Sequence, residues 1–194
     1  LAAEEGNWKL SDGRKFEAHK YQSTRVDRAA SWVGEPRSYG QSYVSPVVLG
    51  QVMSYNDARW SVFWSRGSSA KSPAIASALY TGYMIGEDPV ITRLSETIGY
   101  MVIESGSGTA SGILYEAKLG ADTVRGWDNN TTGYTYTLGR SYPGPRLAIV
   151  TQGGMGGTDG SFASIRGSTG LTATTVRLVA DEDNTKDTER SHNT

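Results

Sequence analysis

Two histidines, His19 and His192, bound the acid–base chemistry open to this sequence, because histidine is the side chain that most readily exchanges protons near neutral pH. Neither sits in a nucleophile motif, and there is no Gly-x-Ser-x-Gly elbow, P-loop or His-Glu-x-x-His pattern. With no cysteine, thiol catalysis, disulfides and cysteine-held metals are excluded. The glycine-rich run "TQGGMGGTDGS" (151–161) follows an apolar segment but precedes no helical pattern, so it reads as a loop or hairpin rather than a phosphate cradle. The expectation is a protein that is not an enzyme.

Binding chemistry has more to work with. Asp181, Glu182, Asp183, Asp187 and Glu189 crowd one short segment, and a loop of carboxylates is what Ca²⁺ coordinates with oxygen. The spacing lacks the glycine of an EF-hand loop, and Asp and Asn equally suit a solvated turn, so calcium is the one candidate cofactor and the turn its plainer rival. Aromatic rings offer flat faces to sugars. Trp60, Val62 and Trp64 alternate onto one face of a strand and are expected in the core, whereas Trp127 borders the polar stretch "DNNTTG" and is the candidate sugar contact. In that stretch Asn129 and Asn130 each open an Asn-x-Thr acceptor triplet for glycosylation.

The elements that position these residues are expected to be strands. Gly (24), Ser, Thr and Tyr are abundant, and short apolar runs alternate with turn residues. The 19 basic and 20 acidic side chains nearly cancel, which argues against nucleic acid as a partner, and no run approaches the roughly 18 apolar residues of a membrane span.

Comparing the chain with itself gives its organisation. "YGQSYVSPVVLGQ" (39–51) matches "LGRSYPGPRLAIV" (138–150), with Gly40, Ser42, Tyr43 and Pro46 falling on Gly139, Ser141, Tyr142 and Pro145, each 99 residues on. In the same order, "KFEAHK" (15–20) matches "LYEAKL" (114–119), "SRGSS" (65–69) matches "IRGST" (165–169), and "GYMIGEDP" (82–89) matches "RLVADEDN" (177–184). A collinear series indicates two copies of one unit of about a hundred residues. In the first copy "TRLSET" (92–97) leads into the apolar strand "IGYMVIE" (98–104); in the second, "ERSHNT" (189–194) holds the same place. Residues 1–5, Leu1, Ala2, Ala3, Glu4 and Glu5, are in phase with the end of such a closing strand.

The pattern "YVSPVVLGQVMSYND…WSVFWSRGS…GYMIGED…ETIGYMVIESG" resembles the H-type lectin domain and related β-sandwich repeats of large extracellular proteins. That resemblance implies an antiparallel sandwich on an extracellular or cell-surface protein, with glycans among the partners. The expected architecture is all-β: a lead-in over 1–19, a first sandwich over 20–105, and a second over 106–194 that lacks its own closing strand. Two functions follow as expectations. One is a structural or adhesive repeat protein that joins other copies or neighbouring repeats head to tail, residues 1–5 serving as donor strand; the other is a carbohydrate-binding module.

Overall fold

A computed structural model describes residues 2–130, 132–183 and 188–192. The chain is all-β, with no helix among the described residues and hence none long and apolar enough to cross a membrane. Its strands are β1 (Gly6–Lys9), β2 (Lys15–Ser23), β3 (Val26–Asp27), β4 (Glu35–Arg37), β5 (Pro46–Val52), β6 (Val62–Arg66), β7 (Leu79–Met84), β8 (Glu96–Glu104), β9 (Gly106–Ala110), β10 (Ile113–Ala117), β11 (Tyr134–Thr137), β12 (Gln152–Gly153), β13 (Phe162–Ile165) and β14 (Thr175–Asp181).

In the first half two sheets face each other. One is antiparallel in the order β1-β2-β8-β5; in the other β7 pairs with β6 and β4 antiparallel and with β3 parallel. The sequence "IGYMVIE" becomes the central strand β8 because it alternates: Ile98, Tyr100 and Val102 enter the core, while Met101 and Ile103 stay half-buried on the opposite face. In the core Ile98, Tyr100 and Val102 meet Val48 of β5 and, from the facing sheet, Phe63, Leu79 and Tyr83. The packing is close enough that a Cβ on Gly50 would lie 2.5 Å from the Phe63 ring, so only glycine fits there. Asp27 ties the turn before β4 to this sheet. Its Oδ1 accepts the Val33 and Gly34 N–H groups at 3.0 and 2.9 Å, and its Oδ2 accepts the Trp64 indole N–H at 2.8 Å. Burial raises the Asp27 pKa, so those three donors are what keep a carboxylate tolerable there.

The second half copies this pairing, but β14 lies two residues out of the register read from the sequence, so that Met84 corresponds to Asp181 rather than to Val179. The β9–β10 hairpin stands for β1–β2, with Gly112 (φ +81°) turning where Gly13 (φ +83°) turns. Phe162 opposes Asp181 as Val62 opposes Met84, Tyr134 opposes Leu178 as Glu35 opposes Thr81, and the parallel bridge Gly126–Ala180 repeats Val26–Tyr83. A loop clasp is also repeated. Glu17 accepts the Gly40 N–H at 3.0 Å, and Glu116 accepts the Gly139 N–H at 2.8 Å.

Two boundaries differ from expectation. The division at 19/20 falls inside β2, whose continuous pairing with β8 runs from Phe16 to Ser23. Nor does the second half stand apart as a sandwich: it forms a hairpin and the three-stranded sheet β11-β14-β13, while β12 joins the first half's sheet in parallel beside β6. A second apolar cluster seals that junction, Met155 packing on Trp64 and Met84 with Trp32, Trp60, Val62 and Phe162 around them. The expected core face of Trp60, Val62 and Trp64 is thus in place, but it packs partly against the glycine-rich loop that follows β12.

Candidate functional site

Where the halves diverge, a strand slot is left open. In the first half β8 runs between β2 and β5, pairing with both. In the second half β10 pairs only with β9 among the described residues, and residues 144–150, the counterpart of the β5 region, form no strand. Burial records the result. Val48 is 9% exposed and its counterpart Leu147 is 78% exposed, although both are apolar residues at one repeat position. The β10 side also borders a cleft of about 550 Å³, walled by Ala117, Lys118 and Leu119 and, from the first half, by Pro46 and Ala74. Backbone along an unpaired edge carries N–H and C=O groups that another strand satisfies.

The walls of the slot are otherwise prepared. Tyr142 donates its hydroxyl to Glu116 at 3.1 Å, and burial first, then that glutamate, pushes the phenol up to about 12. Tyr43, its counterpart, is also shifted up, by burial and then by Glu17. The two halves thus keep the same Tyr–Glu pair beneath the strand position, filled in one and vacant in the other.

The second cluster has the outline of a catalytic triad. Antiparallel pairing of Phe162 with Asp181 brings their neighbours Ser161 and Glu182 together, and His192 is fixed between them. The His192 backbone N–H donates to Asn129 Oδ1 at 2.6 Å, and its carbonyl accepts the Gly126 N–H at 2.9 Å. Ser161 Oγ lies 3.1 Å from His192 Nε2, and Glu182 Oε1 lies 2.7 Å from His192 Nδ1. Nucleophile, base and orienting carboxylate are therefore all within hydrogen-bond reach. The cluster is closed off from solvent in this conformation. Ser161, His192 and Glu182 are 0%, 4% and 6% exposed, and Gly157 lies so close that a Cβ there would stand 2.3 Å from His192 Cε1. The trio pins residues 190–192 to the sheet, joined by Arg190, whose guanidinium grips Asp181 at 2.6 and 2.5 Å. Burial raises the Glu182 pKa, opposed by its hydrogen bond from His192.

The acidic cluster proposed for calcium is dispersed among these partners. Asp181 faces Arg190, Glu182 faces His192, Asp183 lies 3.3 Å from the Glu87 N–H, and Glu189 accepts the Ser191 N–H; Asp187 lies outside the described residues. No group of three or more potential ligands is gathered among the described residues. Trp127 is not bare either: the guanidinium groups of Arg166 and Arg190 stand 3.7 and 4.3 Å from its ring centre, occupying the surface a sugar would need. Of the acceptor asparagines, Asn129 holds the His192 N–H, and Asn130 Oδ1 accepts the Thr132 N–H and hydroxyl. His19 lies 3.3 Å from Glu17, half-buried on β2. Of the proposed donor residues, Leu1 lies outside the described residues, Ala2, Ala3 and Glu4 are exposed outside any strand, and Glu5 is engaged with Lys20.

No protein-family model matches the chain, and neither a curated protein nor a solved structure matches it.

Proposed function

We propose that the protein is a non-enzymatic structural or adhesive repeat module of an extracellular or cell-surface assembly, joined end to end by a strand that closes its second half. One observation carries this reading: among the described residues no strand of the second half takes the position that β8 fills in the first, between the edge of β10 that β9 does not pair and an exposed Leu147. Strand addition at such an edge supplies main-chain hydrogen bonds together with apolar burial. A strand supplied by another unit meets this slot with a different surface, so each such joint uses two different surfaces. Heterologous contacts of this kind build open filaments where the rotation between units does not close into a ring.

The test is size against concentration, by light scattering and by electron microscopy of the concentrated chain. Because each copy's β8 is already paired between β2 and β5, end-to-end assemblies are expected only in the concentrated chain, where the weaker residues 1–5 of another copy can enter the slot. A chain that stays monomeric at every concentration, combined with selective galactose-type binding on a glycan array, would replace the structural reading with a carbohydrate-binding module.

A further inference from the structure

We infer that the vacant slot is specific for a strand of the β8 sequence type from a further repeat unit, and that such a strand draws residues 145–150 out into a β5-like partner. This rests on the end-to-end reading and adds the identity of the closing strand.

The register of the first half fixes what each position must meet. Val102 of β8 lies between Glu17 and Val48, and Tyr100 lies between His19 and Gly50. Carried 99 residues on, the first position falls between Glu116 and Leu147, and the second between Lys118 and Ile149. A β8-type strand therefore covers Leu147 with an apolar side chain and sets an aromatic ring beside the Lys118 position.

An exchange of bulk across the sandwich supports the same placement. In the first half Gly50 sits against the Phe63 ring. At the corresponding places the second half has Ile149 and Ala163, so the large side chain has moved from one sheet to the other. That swap preserves volume only if residues 145–150 lie as a strand over β13. At present they do not; Val150 and Ala163 instead border a cavity of about 230 Å³.

The chain's own residues 2–5 are a poor occupant. Ala2 takes the Val102 position and buries far less, and Glu5 already binds Lys20.

The test titrates the full chain with a synthetic peptide of residues 96–106, ETIGYMVIESG, beside a scrambled peptide and the peptide LAAEEG. Expected is saturable one-to-one binding of the first alone, with hydrogen-exchange protection gained at residues 114–119 and 145–150. Leu147→Asp, at an exposed position that leaves the fold intact, is expected to weaken capture at least about tenfold. Binding without protection at those residues, or binding of the scrambled peptide, overturns the inference. Capture of LAAEEG alone overturns it too while leaving end-to-end joining in place. If no peptide binds but the chains still form rods, the joint lies elsewhere; if no peptide binds and the chain stays monomeric, both readings fall.

Discussion

Val48 and Leu147 occupy one position in the repeat, yet one is buried in a core and the other stands in solvent. The difference lies in their surroundings rather than in their own chemistry. Hairpins such as β1–β2 and β9–β10 pair residues close in the chain, so both halves form them. The sheet β11-β14-β13 likewise needs no outside strand. The β5-type strand is different, because its ladder is built entirely on β8. Where β8 is present, residues 46–52 extend and bury; where no such strand lies alongside, residues 144–150 remain without a ladder. Local pairing thus survives without the central strand, and the apolar core does not.

The sharpest way to break this comparison is to truncate one apolar side chain in each half. Ile98→Ala, at a fully buried site on β8, is expected to cost about 3 kcal/mol in urea unfolding, whereas Leu147→Ala should cost less than about 0.5 kcal/mol. Equal costs would mean that the second half is as closed as the first. Next in size is Asp27→Asn. An amide in that place sets its NH₂ or its oxygen wrongly for either the Trp64 indole or the Val33 and Gly34 N–H groups, a loss of about 2 kcal/mol. Smaller still is the contrast of the paired glutamates. Glu17→Gln, fully buried and holding both the Gly40 and Gln41 N–H groups, should cost roughly 1–2 kcal/mol; Glu116→Gln, less buried, should cost about half as much. Differential melting of the two variants checks the ranking, and a reversed order would sink the idea that the second half is held more loosely.

Much of this was legible in the sequence because repeats and alternation are local signals. "IGYMVIE" announces a central strand through its own period, and the repeat carries the β1–β2 pairing onto β9–β10. What was not legible depends on side chains far apart in sequence. The parallel pairing of β12 with β6 brings together residues 88 positions apart, Trp64 with Gln152, and no pattern in a two-residue strand foretells it. Trp127 looked exposed beside polar residues because nothing local marks Arg166 and Arg190 as the groups that cover it. The Ser161–His192–Glu182 cluster was not legible either. The sequence match sets Glu182 on Glu87, and only the strand register moves it onto Ile85, a fully buried core residue, where a charge needs a buried partner such as His192.

That substitution of a polar trio for an aliphatic core also gives the two halves different responses to pH. Burial raises the folded Glu182 pKa above its ordinary 4.5, opposed by the hydrogen bond from His192. A carboxyl group raised on folding binds its proton more tightly in the native state, so its contribution is fully present below pH 4.5 and is lost as pH climbs through the raised value. Ile85 cannot titrate, so the first half carries no such response at this position. Glu182→Gln keeps an oxygen that accepts from His192 Nδ1 while removing the titration. The variant is expected to flatten the fall in melting temperature above pH 4.5 by about 1–2 °C, with hydrogen exchange at residues 190–192 showing the same change and β8 showing none. A pH dependence that survives the substitution, or that moves β8 equally, would show that the trio does not separate the halves.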